Sequence, residues 1–393
     1  MPNAQFITIQ SLATTGTLGN LPRIPVLVTR EAVAGYTPDA ETGLIKINSS
    51  DLVGFETANA TSYGLRNSLR ITFGQNYSYP FVYILSVVAG ITVADLDKAN
   101  IRPRDWSFLV HVDRYQGAGT GFVLADNTAY FEDLAVIKTW GPRTHRKICF
   151  FNYSVEESAG IISLPAELIL GGVLSDDDGF KCIVSNSTSL VDAETVYDNI
   201  ALAWISFVIN GTAVSRSWGS LSDAHDFLLI GADTYSVASR SLIENNSLGQ
   251  YNGAKDRAGS LFVYDTQMND SVNPPLTDQV ESMVAGDYIE DYVYVFVHNA
   301  LQSAGQTGVP NDDSGIRQVA GLVRQALNDC FDLNLILGKE NGSPDYSAGC
   351  LTAAQVSKLS ANWQTTGIWP AGVIFAKIRR FGAGHYVTIS FTF

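Results

Sequence analysis

The chain has 393 residues, of which 46% are hydrophobic and 16% charged, with a formal net charge of −14. That apolar content excludes an intrinsically disordered chain, and the acidity argues against a protein that neutralises a phosphate backbone. The length fits two or three domain-sized units or one elaborated fold, and the low charge fits either a large core or extensive contact between subunits.

Residues 1–22 are polar, uncharged and small, with Phe6, Ile7 and Ile9 placed to form a short strand, and they read as an N-terminal arm. The first charged residue is Arg23 and no apolar run follows, so no secretory signal is expected. Ile24–Thr29 has the composition of a buried strand. Asp51–Phe73 reads as helical, with Leu65, Leu69, Thr72 and Phe73 on one stripe and Gly74 as C-cap. Pro80–Val88 is a second buried strand. The uncharged stretch Ile71–Ala94 nominally reaches membrane-spanning length, but Gly74, Gln75, Asn76, Ser78 and Pro80 divide it into a helix end, a turn and a strand.

The alternation continues. Ser107–Val112 is a strand, and Asn127–Trp140 is a helix capped by Asn127 or Thr128 and stopped by Gly141-Pro142. Lys147–Tyr153 and Phe180–Val184 are strands. Thr195–Ile209 is helical, and its apolar Ile200–Ile209 run is too short to cross a membrane. Strands alternating with helices predict an α/β layered body on a largely parallel sheet flanked by helices.

From Leu242 to Pro275 the chain is rich in Asn, Gly and Pro and is expected to be irregular, with a short strand at Ser260–Tyr264. Asp287–Leu301 has strand composition at Val293–Val297, but Ile289, Val293, Phe296 and Ala300 fit a helical face, and the helical reading is preferred. Asn311–Cys330 is the clearest helix. Asp312, Asp313 and Ser314 supply capping oxygens, and Ile316, Val319, Val323, Leu327 and Cys330 form one apolar stripe. Thr352 with Gln355 forms a capping box that opens a helix through Leu359.

His385–Phe393 alternates with a period of two. Val387, Ile389, Phe391 and Phe393 fall on one side, and Tyr386, Thr388, Ser390 and Thr392 on the other. An apolar strand without charge is a pairing template, so it must pair within its own chain or with another copy. Gly382 and Gly384 precede it and read as a hinge.

No motif identifies catalysis. Gly117, Gly119 and Gly121 follow a strand, but Phe122 stands where a dinucleotide fingerprint needs Gly or Ala. Asp176–Asp178 before Gly179 lacks the glutamate of a calcium loop, since Ser187 holds that position. Among His111, His145, His225, His298 and His385 no pair has helical zinc spacing, and His225-Asp226 has no identifiable nucleophile. Cys149, Cys182, Cys330 and Cys350 are widely spaced and read as reduced thiols. Sequons such as Asn48, Asn59, Asn186 and Asn210 read as chance occurrences. The basic groups Arg102 with Arg104, Arg143–Lys147 and Lys377–Arg380 read as solvated faces or subunit contacts. No catalytic, cofactor-binding or metal residue is assigned, and no cofactor is expected.

The order of segments resembles a contractile-tail sheath protein of a tailed bacteriophage, in the group with short, minimal sheaths. The resemblance runs through the strand arm Gln5–Ile9, the strand Pro25–Thr29, and Phe73-Gly74-Gln75 leading into Pro80–Ile84. It continues through Asp105–Leu109, the Asn245-Asn246 region and Gly259–Asp265. Val309–Ile316 resembles a Pro-x-x-Asp-x-Gly-Ile helix start, and Ala383-Gly384-His385 a C-terminal arm. Two features depart from the pattern: the N-terminal arm alternates weakly, and Cys330–Leu351 has no counterpart.

The resemblance implies a structural subunit, not an enzyme, that polymerises in stacked rings around a tail tube and contracts to drive the tube through the host envelope for DNA delivery. Arms from neighbouring copies would complete a shared sheet, and a head-to-tail contact would propagate helically. The implied inter-subunit arm residues are Phe6, Ile7, Ile9, Val387, Ile389, Phe391 and Phe393, with Gly382 and Gly384 as hinge. The helix from Asp313 either faces the tube or packs in the core. The implied domains are an N-terminal arm (1–23), an α/β body with insertions (24–275), a C-terminal helix and strand subdomain (276–380) and a C-terminal arm (381–393). Implied partners are other copies of the chain, the tail tube protein, and baseplate and tail terminator proteins. No direct nucleic acid and no membrane insertion are implied. The place is the virion tail, after assembly in the host cytoplasm. The alternatives are another virion assembly protein (tail tube or capsid) and an α/β enzyme whose site is assembled from distant residues.

Overall fold

The computed structural model describes residues 24–74, 80–103, 105–112, 115–116, 123–124, 128–155, 157–169, 172–174, 179–185, 235–246, 248–255, 261–264, 280–303, 309–366, 369–370, 372–379 and 387–391. The arm residues Phe6, Ile7, Ile9 and Phe393, the hinge Gly382 and Gly384, the helix expected at Thr195–Ile209, and the Gly117–Gly121 and Asp176–Asp178 segments lie outside these residues.

Among the described residues the strands are β1 (Pro25–Thr29), β2 (Ile45–Asn48), β3 (Phe81–Ser86), β4 (Phe108–His111), β5 (Tyr115–Gln116), β6 (Val123–Leu124), β7 (Ile148–Ser154), β8 (Phe180–Ser185), β9 (Gly249–Lys255), β10 (Leu261–Tyr264), β11 (Tyr346–Cys350), β12 (Ile374–Ile378) and β13 (Val387–Phe391). The helices are α1 (Leu52–Ala58), α2 (Tyr63–Gly74), α3 (Val93–Ala99), α4 (Thr128–Trp140), α5 (Val237–Asn245), α6 (Val280–Ser303), α7 (Asp313–Asp332), α8 (Ala353–Leu359) and α9 (Trp363–Thr366).

An eight-stranded sheet runs in the order β10-β9-β8-β7-β4-β1-β3-β2. The six strands from β9 to β3 are mutually parallel, and β10 and β2 add antiparallel edges. Every residue of β1 and β4 is buried, as a parallel strand covered on both faces requires. The α/β layered architecture read from the alternation is therefore the observed one. A separate three-stranded antiparallel sheet, β11-β12-β13, forms near the C-terminus, and β5 and β6 form a small hairpin.

Local signals account for most boundaries. The helix expected across Asp51–Phe73 breaks at Asn59, whose side chain accepts from Ala34 N and donates to Ala34 O and Phe55 O. That bonding diverts the chain before α2 begins. Leu65, Leu69 and Thr72 are buried as the stripe predicted, while Phe73 is half-buried. Thr92 and Asp95 form a capping box that starts α3, which the sequence reading passed over. Within the Leu242–Pro275 stretch expected to be irregular, β9 is a strand, with a register shift in its pairing to β10. Its sequence, GQYNGAK, has weak strand composition, and pairing with β8 and β10 supplies the order that propensity does not.

The basic run Arg143–Lys147 is not a solvated face. Lys147 is buried, and its Nζ donates to the carbonyls of Pro103 and Trp106 and lies 4.2 Å above the Trp106 ring. Arg143 and Arg146 pair with acidic residues of α6.

The chain steps from β1 to β3 on one side, then crosses to β4 on the other. Doubly wound sheets open a crevice at such a switch point, outside the carboxyl ends of the strands. Here a polar cluster from the chain itself fills it. Arg30 donates through Nε and Nη2 to the two Asp133 oxygens at 2.7 and 2.6 Å, and through Nη2 to Ala129 O at 2.9 Å. His111 Nε2 lies 3.1 Å from Asp133 Oδ2, and Ile91 N donates to Oδ1 at 3.1 Å. The Tyr130 ring meets the His111 ring edge-on, 4.6 Å between centroids. Gly90 has φ +98°, and a Cβ there would sit 3.0 Å from Arg30 Nη2, so glycine permits the approach.

Burial alone would raise the Asp133 carboxyl, but hydrogen bonds from His111 and Arg30 outweigh it and hold the group well below the usual carboxylate range. A depressed folded value adds stability that is complete above the unfolded value of about 4 and is lost as pH falls towards the folded one. Asp133→Asn is expected to lower unfolding free energy at neutral pH by about 3 kcal/mol, because it leaves Arg30 without its buried counter-charge. Urea unfolding between pH 7 and pH 3 measures this: the wild type loses more stability on acidification than the variant does.

Candidate assembly surface

α6, α7 and the three-stranded sheet form the C-terminal part of the fold. α7 begins where the sequence places it. Asp312 is the N-cap and accepts from Ser314 N and Gly315 N at 2.8 and 3.0 Å. Gly315 is required by space: a Cβ would lie 1.9 Å from Pro310 O and 2.7 Å from Val309 Cγ1. Ile316, Val319, Val323, Leu327 and Cys330 are all buried, so the predicted stripe is the packing face. Arg317, Gly321, Arg324 and Asn328 are exposed on the other side.

The helical reading of α6 holds. Tyr288, Ile289, Val293 and Val297 are fully buried, whereas Phe296 and Ala300 of the predicted face are half-buried. Tyr292 donates its hydroxyl to Asp329 Oδ2 at 3.1 Å, which ties α6 to α7. Burial, reinforced by the Asp329 charge, pushes the Tyr292 phenol far above its ordinary value. Burial likewise raises the Cys330 thiol, which keeps it protonated.

α7 carries the sheet. Tyr346, at the start of β11, donates to Arg324 O at 3.1 Å and Asn328 Oδ1 at 2.7 Å. β11 lies in the Cys330–Leu351 segment that had no counterpart in the resemblance. Its sequence, YSAGC, carries no strand signal, and its pairing with β12 orders it. β12 alternates strictly, with Ile374, Ala376 and Ile378 buried and Phe375 and Lys377 exposed. The Phe375 ring lies over Gly349 of β11, where a Cβ would come within 2.8 Å. Thr352 and Gln355 form the predicted capping box at α8.

β13 runs antiparallel to β12 of its own chain. Val387 pairs with Ile378, Ile389 with Ala376 and Phe391 with Ile374. Within one chain β13 thus closes on its own sheet, the first of the two pairings open to it. Val387, Ile389 and Phe391 occupy the register positions opposite the buried residues of β12. β13 is an outer strand, so its other edge has no partner among the described residues. Residues 379–386, eight in all, connect the two strands.

Among the described residues no group of three His, Cys, Asp or Glu side chains could hold a metal ion, and no helix is long and apolar enough to cross a membrane. His111 is a buried structural partner, and His298 contacts Gln302 on the same helix.

No protein-family model and no curated protein matches the chain. Solved structures do. A chain of the anti-feeding prophage baseplate superposes with a TM-score of 0.59 over 94% of this chain and 93% of that one, at 12% identity. The sheath tail protein Lin1278 from Listeria innocua superposes with a TM-score of 0.52 over 94% of each chain, at 9% identity. The chain therefore shares its fold with these two proteins over 94% of its length.

Two substitutions test how α7 is seated. Gly315→Ala is expected to cost about 1–3 kcal/mol through overpacking against the Pro310 carbonyl. Asp312→Ala is expected to cost about 1 kcal/mol through loss of the cap. Chemical denaturation followed by far-UV circular dichroism reads both.

Proposed function

We propose that this chain is a structural subunit of a contractile-tail sheath. It polymerises around a tail tube in stacked rings, and its contraction drives the tube through an envelope. The observation that carries this reading is the fold shared with a sheath tail protein over 94% of both chains. The likeness to a baseplate chain supports a place in the same kind of machine, with contact to baseplate proteins at one end. The tube protein and a terminator protein are the other expected partners. Chemistry is carried by packing, so the subunit is read as non-enzymatic, and it belongs in the virion tail.

The link between copies is read as strand exchange. Eight residues can extend over about 25 Å, whereas adjacent strands lie only about 5 Å apart. The connection from β12 to β13 is therefore longer than closure on its own strand requires, and that slack is what an exchange with a neighbouring copy would use. Such an exchange trades identical contacts between chains and costs little. Val387, Ile389, Phe391 and Phe393 are then donated residues and Gly382 and Gly384 the hinge. Phe6, Ile7 and Ile9 are the matching elements of the N-terminal arm, which adds to an open edge.

Electron microscopy of the purified full chain tests the assembly reading. Hollow cylinders tens of nanometres wide are expected, and particles that stay single at every concentration and salt condition contradict it. Cylinder diameter separates sheath from tube. Deleting residues 385–393 is expected to leave a folded, soluble body that no longer polymerises. Tubes from the truncated chain would overturn strand exchange while leaving the sheath reading standing.

A further inference from the structure

Among the described residues, polar contacts between the part of the chain that carries the large sheet and the part that carries β11–β13 gather at one turn. Residues 141–147 join α4 to β7, and the turn is held from the body side. The Trp140 and His145 rings stack at 4.1 Å with 3° between their planes, and Lys147 N donates to Pro142 O at 2.8 Å. The buried Lys147 ammonium closes the end of the turn on the Pro103 and Trp106 carbonyls.

Two residues of the turn lie in the left-handed region, Gly141 at φ +73° and Arg146 at φ +58°. Glycine adopts that conformation freely, whereas for arginine it is uncommon and unfavourable. Strain of this kind persists where the surrounding contacts over-determine it, and it gathers at functional positions. The contacts here run to α6. Arg143 forks onto Asp287, donating to its two oxygens at 2.7 and 2.9 Å. Arg146 pairs with Glu290 and lies 3.9 Å from Asp291. Asp287, Glu290 and Asp291 share one helical face and repel one another. Burial raises the Glu290 carboxyl, and Arg146 opposes that rise. Without the two guanidinium groups Asp287 and Glu290 would lose these counter-charges in a half-buried setting.

We propose that Arg143 and Arg146 form an ionic latch that fixes the C-terminal helices and sheet to the large-sheet body, and that opening this latch lets the C-terminal part loosen independently of the body. The body side is held by its own contacts, and the α6 side is acidic. A bidentate arginine fork gives one defined orientation instead of a diffuse attraction. The inference does not depend on whether the chain polymerises.

Native-state hydrogen exchange on the dilute full chain tests it. Arg143→Glu is expected to speed amide exchange in α6, α7 and β12 by roughly tenfold or more while β1 and β4 keep wild-type rates. Adding Asp287→Arg in the same chain is expected to restore the wild-type pattern. Unchanged rates, equal acceleration in β1 and β4, or failure of the reciprocal pair to restore protection would overturn the latch. If Arg143→Glu does not fold, Arg146→Gly serves, since it relieves the left-handed backbone and removes the contacts to Glu290 and Asp291. The latch predicts faster exchange in α6 with no fall in the urea midpoint. A lower midpoint without local acceleration contradicts it.

Discussion

A backbone amide or carbonyl at the edge of a sheet needs a partner or water, and a flat apolar strand at an edge recruits another strand. In this chain that constraint falls on β13. It has an uncharged sequence and large side chains at every second position, and it sits on the outside of a three-stranded sheet. β12 gives it one partner and a fixed register. Closure within one chain and donation to another chain use the same hydrogen bonds, so local energetics do not choose between them. Chain connectivity and concentration make that choice, as in any exchange of identical elements.

The rest of the C-terminal part presents that strand on a firm base. The buried stripe of α7 and the alternation of β12 set the sheet against the helices, and Tyr346 pins β11 to α7. The large sheet does different work. Its switch point is filled by Arg30, Asp133 and His111, so the crevice that serves as a ligand site in other doubly wound sheets is occupied here by a satisfied polar cluster. A hydrogen-bonded polar network of this kind also restricts the ways in which neighbouring strands and helices can pack. The body is thus built to hold shape, whereas β13 presents an edge without a partner among the described residues.

Much of this was legible in the residues. β1, β3, β4, β7 and β8 announce themselves as short apolar runs, and α4 and α7 by caps and stripes, because burial on both faces or on one stripe dictates side-chain pattern. β9 and β11 were not legible. Gly249–Lys255 and Tyr346–Cys350 carry glycine and small polar residues, and only partners distant in sequence make them strands. The role of Arg143–Lys147 was also hidden. A basic run on a loop looks solvated until the fold brings an acidic helix face from more than a hundred residues away. For the assembly surface, the period-two pattern gave the strand and its apolar positions but not its partner, since alternation encodes a face and not an address.

Cross-linking at the β12–β13 register is the most direct test of the central claim. Lys377 of β12 pairs with Thr388 of β13, and directly opposed residues lie within disulfide reach. Chains carrying only Lys377→Cys are mixed with chains carrying only Thr388→Cys, assembled and then oxidised. Exchange of the strand between copies predicts cross-linked pairs containing one chain of each kind in assembled material and none in dilute single chains. Polymers that give no mixed pairs, while a chain carrying both cysteines closes only on itself, would contradict it.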